Sequence, residues 1–68
     1  MDNQKIVQIL YTNYKGETRI RKILPINIEF KSTNWHKEKQ WILNAIDIEK
    51  NAERGFALKD ILEWKIYK

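Results

Sequence analysis

A small all-β fold is what the first half of this sequence predicts, on two observations. Apolar residues recur at every second position in two stretches, Val7, Ile9, Tyr11 and Leu24, Ile26, Ile28, Phe30, and a loop containing Gly16 separates them. A period of two sends alternate side chains to opposite faces of a strand, so each stretch offers one apolar face for burial. The chain has 68 residues, and a domain of that size buries only about 60% of its unfolded surface. One domain with a small core follows. With no cysteine to add a disulfide or a thiolate–metal site, marginal stability or self-association as a homodimer is expected.

Taken in order, Val7, Ile9 and Tyr11 define a first strand with one strongly apolar side. Asn13-Tyr14-Lys15-Gly16 reads as a hairpin loop, in which Gly16 supplies the positive φ where the chain turns back. A single long strand over 17–30 then buries Leu24, Ile26, Ile28 and Phe30 on one face and displays Arg19 and Arg21 on the other. Pro25 lies inside that run without an N–H for the ladder, which calls for an edge position or a bend near Leu24. A bent long strand is what a small barrel requires.

The second half supports two readings from its residues alone. Asn34 can cap a helix beginning at Trp35 and ended by Gly55, with Trp41, Ala45 and Ile48 on one helical face. A strand reading is equally available, because Trp41, Leu43 and Ala45 alternate with Ile42, Asn44 and Ile46 in a segment rich in β-branched residues.

Trp41, Leu43, Ala45 and Asp47, followed by Arg54, Phe56, Leu58 and Ile61, resemble the signature of the WYL domain, a small Sm-like β-barrel of bacteria and their phages. Gly16, Arg21 and Pro25 fit the hairpin and the arginine-to-proline spacing of the same family, and the matches span about 7–62. The resemblance implies a five-stranded antiparallel Sm-like or SH3-like barrel with strands through Trp41 and Phe56. It makes 47–53 a turn, where Asp and Asn side chains bond nearby backbone. It leaves 60–67 to close the barrel, as a last strand or through a short helical turn around Asp60, Ile61 and Leu62.

Many WYL domains recognise nucleic acid or a nucleotide-like effector through a polar, basic pocket. Arg21 and Arg54 match family positions, and a guanidinium can hold a phosphate at two points where lysine cannot. With Arg19, Lys22 and Lys59 they form the expected binding surface, and a barrel brings Arg21 and Arg54 together. The competing reading pairs Arg21 with Asp47, Glu53 or Asp60 at the barrel rim. This chain departs from the family at Ile42, where the namesake tyrosine stands, and at Ala57 and Asp60, where arginines are common. Those changes remove a stacking ring and two phosphate donors.

Three tryptophans require separate readings. Trp41 alternates with apolar neighbours and is expected in the core. Trp35, beside His36 in a polar loop, is a candidate to stack on a base or to contact a protein partner, the alternative being a lid folded over the barrel end; Trp64, in the closing segment with Ile66 and Tyr67, is a candidate partner contact at an edge that pairs with another subunit, the alternative being that it completes the core.

Thirteen Lys and Arg against nine Asp and Glu leave a formal charge of +4, which favours polyanionic partners or keeps the surface solvated. Catalysis finds no basis: His36 is the only histidine, Ser32 the only serine, and no cysteine or glycine-rich phosphate loop is present. No metal or other cofactor is expected. No apolar run approaches the roughly 20 residues that cross a bilayer, and the chain starts without an export signal, so a cytoplasmic, non-membrane protein is expected. Two functions remain: a module that contacts nucleic acid or a nucleotide-like effector through a basic barrel face, and a protein-interaction module that regulates a larger partner through a barrel edge.

Overall fold

The computed structural model describes residues 5–33 and 37–66. They form five strands, β1 (Val7–Thr12), β2 (Thr18–Lys31), β3 (Gln40–Asp47), β4 (Ala52–Ala57) and β5 (Ile61–Ile66), with a 3₁₀ turn at Leu58–Asp60. All belong to one antiparallel sheet in the order β4-β3-β2-β1-β5. The helical reading of the second half is thereby excluded for β3 and β4.

The β1–β2 hairpin follows its sequence. Asn13 Oδ1 accepts hydrogen bonds from the backbone N–H of Lys15 (2.9 Å) and Glu17 (3.0 Å), closing the loop from inside. Gly16 takes φ 84°, the left-handed conformation that a residue without Cβ adopts most cheaply. Along β1 the alternation is clean, with Val7, Ile9 and Tyr11 buried.

β2 departs from its expected pattern at one point. Its register with β3 shifts between Pro25 and Asn27, leaving Ile26 as the extra residue of a bulge beside the proline. The bend expected near Leu24 is therefore present. Its effect on the faces was not expected: one inserted residue exchanges the two sides of everything that follows. Ile28 and Phe30 consequently lie opposite Leu43 and Trp41, on the same face as Arg19, Arg21 and Ile23. The continuous buried face through Leu24, Ile26, Ile28 and Phe30 does not form. Ile28 is 52% exposed and Phe30 54%, and Trp41, expected in the core, packs edge to face on Phe30 and is 55% exposed.

The turn between β3 and β4 is shorter than 47–53, because β4 begins at Ala52. Asp47 Oδ1 accepts from the backbone N–H of Glu49 and Lys50, at 3.1 and 3.2 Å, and Asn51 adopts φ 53°. After β4 the chain makes its 3₁₀ turn at Leu58–Asp60, ahead of the position expected around Asp60, Ile61 and Leu62, and then continues as a last strand, β5, which pairs with β1. Tyr67 lies outside the described residues.

The barrel does not close. Among the described residues β4 and β5 are unpaired with each other and form the sheet's two edges. The sheet instead coils until the inner faces of β1 and β4 meet: Tyr11 and Phe56 stand edge to face with centroids 5.0 Å apart, and the Ala57 N–H donates to the Tyr11 hydroxyl at 3.1 Å. The core inside this curl is Val7, Ile9, Tyr11, Ile23, Leu43, Ala45 and Phe56, with Leu58 and Ile61 packed against it.

Candidate ligand groove

The curl leaves a groove at one end of the sheet, with a volume of about 490 Å³. Its floor comes from Tyr11 on β1 and Phe56 on β4, and its walls from the 13–17 loop and the 47–54 region. Arg21 and Arg54, 33 positions apart in the chain, both line it. The strand register explains their placement: Arg21 pairs with core residue Ile9, and Arg54 with core residue Ala45, so both side chains leave the inner face of the coiled sheet.

Arg21 is also the residue that the rim reading claimed. Its Nη1 lies 3.5 Å from Asp47 Oδ2, in a pair whose side chains are 16% and 2% exposed. At that length the bond is weak, but a carboxylate as buried as Asp47 needs a cation nearby. The Arg21 Nε is buried with no hydrogen-bond partner. Asp47 thus has two functions, one oxygen holding the β3–β4 turn and the other facing Arg21.

The groove's charge is nearly balanced. Lys15, Arg21, Lys50 and Arg54 are set against Glu17, Asp47 and Glu53. A cleft built to track a polyanion presents cations with few carboxylates between them. This one alternates the two signs around its rim. Burial pushes the Tyr11 phenol above its ordinary value; the Ala57 N–H bond opposes the shift, Asp60 adds to it and Arg21 opposes it. The phenol is therefore uncharged at neutral pH.

The other expected residues are dispersed. Arg19 is exposed opposite Tyr11 and does not line the groove. Lys22 alternates to the other face of β2, and its carbonyl accepts the Ile48 N–H at 3.0 Å. Lys59, on the 3₁₀ turn, adjoins Phe30 and Trp41 instead. Trp64 is half exposed on the β5 edge, opposite Ile9. Trp35 and His36 lie outside the described residues.

Of the three residues that differ from the WYL pattern, Ile42 is fully buried on the face opposite Arg54, where a Cβ added at Gly55 would meet its Cγ2 at 2.9 Å. Ala57 is also fully buried, and Asp60 acts on Tyr11 through its charge. Tyr11, Lys15 and Lys50 are groove residues that the sequence reading missed. The signals were present, since the Asn13–Gly16 loop and the turn after Asp47 both flank expected strands that converge at one barrel end.

Behind the groove, on the outer face, Asn44 donates to Asn27 Oδ1 and Glu29 Oε1, both at 2.7 Å. Hydrogen bonds from Lys31 and then Asn44 hold the Glu29 carboxyl below its usual value. Among the described residues no group of three or more His, Cys, Asp or Glu side chains is arranged to hold a metal ion, and no helix is long and apolar enough to cross a membrane. In comparisons with known proteins, no family model, no curated protein and no solved structure matches the chain.

Proposed function

We propose that this domain is a non-catalytic regulatory module that binds a phosphate-bearing, nucleotide-like effector in the groove between the 13–17 loop and the 47–54 region. The observation that carries the reading is the convergence of Arg21 and Arg54 on one groove of about 490 Å³, within the usual range of roughly 300–1,000 Å³ for small-ligand sites. The WYL resemblance implies the same ligand class and the same two arginines. In this reading Arg54, exposed on β4, takes the phosphate with Lys50, while Arg21 is oriented by Asp47 and supplies a second, partly neutralised donor. Tyr11 and Phe56 form the floor.

The near-balance of charge favours a single nucleotide over the backbone of a long nucleic acid. The test is an NMR titration with a nucleoside monophosphate and with single-stranded DNA, at low and high salt, on wild type and Arg54→Ala. Salt-sensitive shifts in the groove, lost in the variant, support the reading. An absence of shifts with either compound at low salt overturns it.

A second reading, a protein-interaction module, is supported by the half-exposed Leu62, Trp64 and Ile66 on the β5 edge and by Ile28, Phe30 and Trp41 on β2 and β3. So much exposed apolar surface on so small a domain is the common mark of an interface.

A further inference from the structure

Of the sheet's two edges, β5 is the one that carries exposed apolar side chains. Among the described residues it pairs with β1 alone, and Leu62, Trp64 and Ile66 along it are each at least half exposed. β4, the other edge, exposes no large apolar side chain. An open edge is a template for another strand, and charged residues commonly guard it. The charges on β5 are Glu63 and Lys65, one of each sign, on the face opposite Trp64. Such a pair repels or attracts an incoming strand according to what that strand carries.

For a second copy of the chain, symmetry restricts the register. Two identical strands pair antiparallel about a two-fold axis perpendicular to the sheet, so one residue stands directly opposite its own counterpart. An axis through Glu63 or Lys65 sets like charges against each other, which is destabilising. Axes nearer either end of β5 pair fewer of its residues. An axis through Trp64 avoids both faults. Each Glu63 then faces Lys65 of the other copy on one face of the sheet, and the two Trp64 side chains lie together on the other, with Cβ atoms about 4.5–5.5 Å apart. Leu62, the extra residue of the bulge against β1, comes opposite Ile66, and all of 62–66 lie within β5. Pairing with the β4 edge of another copy would instead lay Trp64 and Ile66 along a strand without exposed large apolar residues. A foreign strand would have to supply the same acid–apolar–base order that β5 already has.

We infer that the chain forms a two-fold dimer by antiparallel pairing of β5 with β5 of a second copy, centred on Trp64 and held in register by two reciprocal Glu63–Lys65 pairs, so that two five-stranded sheets join into one. Burial of Leu62, Trp64 and Ile66 supplies most of the attraction, and the charges choose the register. One short strand is a small interface, so dimer and monomer exchange with concentration. The inference is independent of the groove and its ligand.

Sedimentation equilibrium of the full chain over a concentration series reads the association directly. Glu63→Lys sets Lys against Lys and Lys65→Glu sets Glu against Glu, and each should weaken the dimer about tenfold. The two changes move the net charge in opposite directions, so a loss in both is not an effect of overall charge. Glu63→Lys/Lys65→Glu exchanges the signs and should restore the dimer, and an equal mixture of the two single variants should form a heterodimer. Both positions are exposed and stand opposite the uncharged Leu10 and Gln8 on β1, and restoration in the double variant shows that the single variants fold. A monomer at every concentration, a dimer indifferent to the single changes, a loss that the double variant does not restore, or growth beyond two copies would each overturn the inference.

Discussion

Removing one oxygen atom from Tyr11 tests how the coiled sheet is held. The Tyr11 hydroxyl accepts the Ala57 N–H at 3.1 Å, in a bond that joins β1 to the end of β4, strands that do not pair in the sheet. In Tyr11→Phe the ring and its edge-to-face contact with Phe56 can remain, but the fully buried Ala57 N–H loses its acceptor. Leaving a buried donor unsatisfied costs about 1–3 kcal/mol. At about 0.05–0.15 kcal/mol per residue a domain of this length has about 3–10 kcal/mol in total, so the loss is a large share of it. With a urea m-value on the order of 1 kcal/mol/M, the midpoint should fall by about 1–3 M, read by tryptophan fluorescence. The same residue supplies a pH signature. Burial raises the folded phenol above its unfolded value, so its contribution is complete below the unfolded value near 10 and is lost as pH rises through the still higher folded value. Wild type should therefore show an alkaline loss of stability that Tyr11→Phe lacks. A midpoint shift under about 0.5 M at neutral pH would refute the cross-sheet role of this bond, and an alkaline profile unchanged in Tyr11→Phe would refute burial as the source of the raised phenol.

Three further outcomes are expected. Gly55→Ala pushes a methyl to 2.9 Å from Ile42 Cγ2, on a side chain with no exposed surface to retreat to, and should cost about 1–3 kcal/mol in chemical denaturation. Asp47→Asn keeps an oxygen for the Glu49 and Lys50 N–H groups but removes the charge facing Arg21, so nucleoside monophosphate affinity should rise by calorimetry, while Asp47→Ala also opens the turn and should cost about 2–4 kcal/mol. Arg54→Ala, at an exposed position, should change stability by less than about 0.5 kcal/mol while abolishing phosphate binding; equal loss of both would make Arg54 structural.

The legible parts of the fold are those set by local chemistry. Asn13 and Gly16 close the first hairpin as their residue types require, and the alternation of Val7, Ile9 and Tyr11 survives intact because β1 lies between two strands and follows a buried face. Residues 40–47 were not decidable from periodicity, since strand and helix templates both matched, and the β choice came from the resemblance. The convergence of Arg21 and Arg54 was legible only through a barrel model, because it depends on curvature that brings β4 over β1. Which acid meets Arg21 was open among Asp47, Glu53 and Asp60, and the choice of Asp47 follows from its place on the inner face at the end of β3, paired with Ile23.

The aromatic face was misread for a reason contained in one residue. Pro25 marks the bend correctly, but a bend can be made by curving a regular strand or by inserting a residue, and only the second changes which side later residues occupy. With Ile26 inserted, Ile28 and Phe30 keep their spacing of two and their apolar character yet move to the face they share with Trp41, beyond the reach of the β1 core. The pattern therefore still looks like buried strand while describing exposed surface. That surface is a cost to a small domain with a net positive charge and no disulfide, because the half of each side chain left in water contributes nothing to folding and invites association. Alternating polar residues at 28 and 30 would have served the bulged strand equally well. The side chains that stand there instead join Trp41 in a half-exposed apolar face, because the bulge and not the residue type decides which side of the sheet they occupy.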